Sequence, residues 1–160
     1  MIIGNVLHMI IVRKNWLASL AIPISVPLFG KNKTLRGFVI LPLLSGAIAL
    51  INSVAFGPFT YTHMEDLLIG AGLGVVYLLS ELPNSYTKRR LGIANGEQSA
   101  NFRWIQVFFD KADSLTGILL FYYWVAPVRW STIVALFFIS FFIHLSISYL
   151  LVMLKVKQSL

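Results

Sequence analysis

The sequence predicts an all-α fold: a polytopic integral membrane helical bundle of four to five transmembrane helices, whose cytosolic loops carry the candidate site. Three observations predict it. Of 160 residues, 58% are hydrophobic and only 12% charged, about half the charged share of a soluble domain; the mean hydropathy is +0.79. The apolar residues fall in long runs without alternation, which suits helices rather than the strands of a membrane barrel. The basic residues collect in alternate connections, as the positive-inside rule requires. One domain over residues 1–160 accommodates all of this.

Five apolar runs can be marked: residues 1–12, 38–57, 67–82, 115–126 and 131–154. The last four are candidate spans. The first is short and stops at Arg13 and Lys14. Basic residues follow it rather than precede it, so it does not read as a secretory signal. Two expectations are open for it: continuation through residues 16–29 as an irregular or re-entrant element, or the tail of a longer helix. If it ends in the cytoplasm, residues 13–37, 84–113 and 155–157 are cytosolic and hold every one of the 13 Lys and Arg residues except Arg129. The expected location is therefore the cell inner (cytoplasmic) membrane. In the third run Gly70 and Gly74 share a helix face, which predicts close helix packing, either within the chain or across a homodimer seam.

Several functions are excluded by composition. There is no cysteine, hence no disulfide, zinc–thiolate site, Fe–S cluster or cysteine nucleophile, and only His8, His63 and His144 remain as imidazoles. The net charge of +7 sits in short loops between spans, so it reads as membrane orientation and predicts no nucleic-acid partner.

Two polar segments exceed what orientation needs. The first contains Lys31, Asn32, Lys33, Thr34 and Arg36 between Gly30 and Gly37. Such a segment can cradle a phosphate, with cations and backbone N–H groups as contacts, or serve as a basic loop drawn to anionic lipid heads. The second contains Glu81, Asn84, Ser85, Lys88, Arg89 and Arg90, followed by Asp110 and Asp113 at the mouth of the fourth run. Three residues apart on a helix, these two aspartates share a face and can reach one Mg²⁺; an acidic first turn complementing the helix dipole is the plainer alternative. Glu81 lies inside an apolar run, where a carboxylate is costly. It should sit near the membrane boundary with a metal or a Lys or Arg as partner. Cations that hold a polyphosphate, with carboxylates that hold Mg²⁺, are the inventory of phosphoryl or nucleotidyl transfer.

Three ordered blocks carry a resemblance: Gly30-Lys31-Asn32-Lys33-Thr34-x-Arg36-Gly37; Glu81-Leu82-Pro83-Asn84-Ser85-x-x-Lys88-Arg89-Arg90-Leu91-Gly92-Ile93; and Asp110-x-x-Asp113-Ser114. The sequence resembles the CDP-archaeol synthase family, a distant relative of CDP-diglyceride synthetases. The resemblance implies a Mg²⁺-dependent membrane cytidylyltransferase that takes CTP and a lipid phosphate, works among membrane lipids, and releases pyrophosphate. It implies that Lys33, Lys88, Asp110 and Asp113 are catalytic. It also implies that Lys31, Asn32, Thr34, Arg36, Asn84, Ser85, Arg89 and Arg90 bind substrate, and that Asp110, Asp113 and Glu81 face the metal.

The sequence departs from the family pattern at three places. Ser25 stands where an Asp followed by glycines is usual, Ser148 where an Asn often follows the residue matching His144, and Leu35 where an aromatic is usual. These departures define a second reading: a non-catalytic homologue serving as a lipid- or nucleotide-binding membrane subunit.

Overall fold

The structure is a computed structural model that describes residues 2–94, 103–126 and 128–154. It is helical: α1 (Ile2–Arg13), α2 (Val26–Phe29), α3 (Leu35–Phe56), α4 (His63–Arg90), α5 (Arg103–Val125) and α6 (Trp130–Met153), with a single 3₁₀ turn at Ala18–Leu20. No strand forms among the described residues; Pro23 and Thr34 make one isolated antiparallel bridge. Lys155 and Lys157, part of the expected basic face, lie outside the described residues, as does the side chain of Arg103.

The apolar runs become helices because in hydrocarbon a helix alone satisfies its own backbone. Helices α3, α4 and α6 are each long and apolar enough to cross a membrane. Helix α5 has the length, 23 residues, yet Asp110, Lys111 and Asp113 interrupt its apolar character and split its uncharged residues into 104–109 and 114–125. Three helices therefore meet the spanning criterion among the described residues, with α5 as a charged fourth, against four to five expected. Helix α1 is 12 residues long, and the chain after it is irregular, as one of the two expectations had it. Asn15 and Leu17 take positive φ, and Ile24 N–H and Leu35 N–H pair with Lys33 O and Ile22 O at 2.9 Å each.

Helices α1, α3, α4, α5 and α6 stand in a row, each antiparallel to its neighbour, with α2 packed against the central helix, α4. Its α3 face is free of side chains where the backbones meet. A Cβ on Gly74 would lie 2.6 Å from Pro42 Cα, and one on Gly70 would lie 2.7 Å from Ser45 O. On the α5 face, a Cβ on Gly72 would meet the Phe121 ring at 2.9 Å, and Gly117 of α5 lies directly against Ser80. The Gly70–Gly74 stripe is thus buried within one chain, which leaves no glycine seam for a homodimer.

At the end of the bundle where α3 meets α4, the turn is held by a buried carboxylate. Asp66, 4% exposed, accepts from Ser53 Oγ at 2.5 Å, Phe59 N–H at 2.9 Å, Thr60 N–H at 3.1 Å and Thr60 Oγ1 at 2.7 Å. Ser53 Oγ also bonds His63 Nδ1 at 2.7 Å. Thr62 caps α4 by accepting from Glu65 N–H.

With the turn and both α4 faces fixed, residues pair across helices in register. Position 72 faces 121 and 80 faces 117, so residues 84–88 must come opposite 110–113. The packing predicts that Gly74→Val, which forces a branched side chain into Pro42, destabilises the fold by about 1–3 kcal/mol. The thermal midpoint in detergent should fall accordingly; an unchanged midpoint would contradict this close approach.

Candidate active site

The register gathers the polar residues at the end of the bundle opposite the Asp66 turn. Glu81, Asn84 and Lys88 recur at helical spacing on one face of α4. Asp110 and Asp113 answer them from α5. Asn84 Nδ2 donates to Asp110 Oδ1 at 2.7 Å and to Asp113 Oδ2 at 3.0 Å, so one amide bridges both carboxylates. Lys88 Nζ forms an ion pair with the same Asp110 oxygen. Asp113 Oδ1 also accepts from Ser114 N–H at 2.5 Å.

From the other side, the loop before α3 delivers Lys33, whose ammonium pairs with Glu81. Both side chains are about one-fifth exposed, 19% and 20%, which suits an ion pair at a membrane boundary. This is the Lys or Arg partner that Glu81 was expected to need. The backbone bridge of Ile24 and Leu35 to Lys33 and Ile22 holds the loop in place. Arg36 is buried at the start of α3, and its Nη1 donates to Trp16 O at 3.0 Å, tying down the segment after α1.

The other predicted residues are placed differently. Lys31 and Asn32 are exposed at the loop tip, and Thr34 precedes α3 without a side-chain cap bond. Ser85 Oγ donates back to Glu81 O at 2.9 Å within its own helix. Arg89 donates to Ile93 O. Arg90 Nε donates to Tyr86 Oη at 2.8 Å and its guanidinium stacks on that ring at 5.2 Å. These two arginines close the C-terminal end of α4, where cations offset the helix dipole. Gly92, at φ 72°, lets Ile93 N–H and Gly92 N–H reach Lys88 O and Arg89 O, a Schellman ending. Pro83 is accommodated inside α4. As a result residues 81–90 are helical, and Asp110 lies well inside α5: this half of the site rides on helices, where loops were expected.

The structure adds contacts that the sequence did not specify. Lys111, counted only as an orientation charge, is 4% exposed and donates to Ser148 Oγ of α6 at 2.8 Å. His144 is buried one turn earlier on α6. Asn5 Nδ2 of α1 donates to Tyr77 Oη at 2.9 Å, one turn before Glu81, and His8 lies against Gly37. A lysine between two aspartates in the only charged stretch of an apolar helix was the available signal for Lys111.

A cavity of about 560 Å³ opens between α4 and α5 beside this cluster, within the usual size of a small-molecule site. Ser80, Pro83, Asn84, Lys88, Leu91, Ile105, Phe109 and Asp113 are among its lining residues. Its walls are mostly apolar, and its polar groups are Asn84, Lys88 and Asp113 of the cluster together with Ser80, Thr87 and Gln106.

Among the described residues, no three His, Asp or Glu side chains converge into a metal site. Two convergent carboxylates are nonetheless what Mg²⁺ commonly takes from a protein, the rest of its shell being water and phosphate. The Asp110–Asp113 pair has that donor set.

The family model for CarS-like CDP-archaeol synthases matches residues 25–160. The chain belongs to this family. The CDP-archaeol synthase of Staphylothermus marinus is 34% identical over 97 residues, covering 61% of this chain and 48% of the relative. That of Methanocaldococcus jannaschii is 26% identical over 125 residues, covering 74% of this chain and 67% of the relative. The chain thus spans about half the length of the first relative and two thirds of the second. No solved structure matches it. Family membership and three membrane-length apolar helices agree on an integral membrane protein.

The geometry predicts that Lys33 and Glu81 are energetically coupled. In a double-mutant cycle with Lys33→Met and Glu81→Gln, thermal unfolding should give a coupling of about 0.5–3 kcal/mol. Strict additivity would mean the loop is held by its backbone bridge alone.

Proposed function

We propose that this chain is a CTP-dependent membrane cytidylyltransferase that transfers CMP to a lipid phosphate, giving a CDP-lipid and pyrophosphate. The observation that carries the reading is the Asn84 amide bridging Asp110 and Asp113, with Lys88 on one of those carboxylates. Membership of the CDP-archaeol synthase family supports it.

In this reading Asp110 and Asp113 would hold Mg²⁺, which when bound offsets charge on the triphosphate and at the reacting phosphorus. Asn84 keeps the two carboxylates at a fixed separation. Lys88 and Lys33 supply positive charge to the nucleotide and lipid phosphates, and Lys31 and Arg36 add to the field from the loop and the α3 start. An oxygen of the lipid phosphate attacks the α-phosphorus of CTP. The bond from that phosphorus to the bridging oxygen breaks, and pyrophosphate leaves with the electron pair. A phosphate monoester, with a second pKa of about 6, is largely ionised at neutral pH, so no strong base is required. The apolar cavity between α4 and α5 offers room for the hydrophobic part of a substrate. We further assign the protein to the cytoplasmic membrane with the Glu81–Asp113 end facing the cytoplasm, because the basic residues concentrate at that end.

Purified protein given CTP, Mg²⁺ and phosphatidic acid or an ether-linked analogue should release pyrophosphate, and chelation of the metal should stop it. Asp110→Asn and Asp113→Asn should each lower the rate at least about 100-fold, the order lost when a charge-stabilising group is removed from an active site. Absence of turnover with every lipid phosphate, in folded protein, would discard the reading.

A further inference from the structure

The site as folded is neutralised by its own side chains. Lys33 is paired with Glu81 and Lys88 with Asp110. Counted formally, Lys33 and Lys88 contribute +2 while Glu81, Asp110 and Asp113 contribute −3, which leaves −1 over these five groups. With both lysines so engaged, neither is free to take a phosphate until its pair opens. One divalent cation would change the sum over these five groups to +1.

Asn84 decides which side chain is free to move. Both carboxylates accept from its single amide nitrogen, so Asp110 and Asp113 stay in place whether or not Lys88 is present. Lys88, by contrast, reaches Asp110 through a long flexible stem from near the end of α4 and is 18% exposed. It can leave without disturbing the carboxylates.

Resting on the nucleotidyltransferase reading, we infer that the Lys88–Asp110 ion pair is a mask which a divalent cation and the nucleotide remove together. Asp110 exchanges the ammonium for the cation, and Lys88 exchanges the carboxylate for a phosphate. Each ligand then raises the affinity for the other by the same factor, as linkage requires. No covalent bond changes in this exchange.

Binding without turnover tests it, using the whole chain in detergent with no lipid substrate. Wild-type protein should bind CTP about tenfold more tightly with Mg²⁺ than with EDTA, within the usual range of coupling between sites. Asp110→Asn removes the partner of Lys88, so in EDTA it should bind CTP several-fold more tightly than wild type, and Mg²⁺ should add little. Reciprocally, Lys88→Gln should bind Mn²⁺ alone, followed by its electron spin resonance, several-fold more tightly than wild type. If Asp110→Asn in EDTA binds CTP no better than wild type, or if Lys88→Gln leaves Mn²⁺ affinity unchanged, the mask is refuted while the nucleotide reading stands. If folded wild-type protein binds no CTP even with Mg²⁺, both fall. Should Asp110→Asn fail to fold, the Lys88→Gln measurement decides alone.

Discussion

Two carboxylates one turn apart on an otherwise apolar helix repel each other unless something donates to both. Asn84 does so, from a different helix, with a single amide group. The rest of the charged end is arranged around that bridge: Lys88 pairs with the same Asp110 oxygen, and Lys33 pairs with Glu81 one turn earlier on α4. In a low-dielectric setting an unpaired charge is expensive, so the bridge is a condition for α5 to lie beside α4 at this end. The same groups, once paired, form a compact array of cations and carboxylates.

That array depends on packing some distance away. The amide meets the carboxylates only because α4 and α5 run antiparallel in one register, set where Gly117 abuts Ser80 and Gly72 abuts Phe121. On its other face α4 lies against α3 through Gly70 and Gly74, which puts the loop before α3 within reach of Glu81. The Asp66 turn fixes the far end of the same hairpin. Without a hydrophobic drive between helices in lipid, close backbone approach and hydrogen bonds carry this association. The stripe of glycines is therefore spent inside the chain.

Much of the site was legible because membrane chemistry leaves few ionisable residues to choose from. Where charge is costly, each remaining Glu, Asp or Lys stands out, and Glu81, Asp110 and Asp113 were found for that reason. Pairings were not legible. That Lys33 meets Glu81, and that Asn84 joins the two aspartates, depends on how segments distant in sequence are set against each other. Arg89 and Arg90 carry a related ambiguity. A basic run looks the same whether it faces a ligand or closes a helix, and here Gly92 and Tyr86 direct both arginines to the end of α4. Lys111 was overlooked because its partner, Ser148, lies on α6, distant in sequence.

By itself the sequence determined that the chain is helical and membrane-borne, where its apolar stretches fall, and which few residues carry charge among them. Those properties follow from local composition and from the cost of exposing backbone and charge to hydrocarbon. The tertiary structure alone decided how far α4 and α5 extend past their apolar cores, which carboxylate meets which cation, and that the glycine faces close on neighbours in the same chain. These are matters of relative position between helices. They are set by close fits such as Gly74 on Pro42, and no periodicity within one segment encodes them.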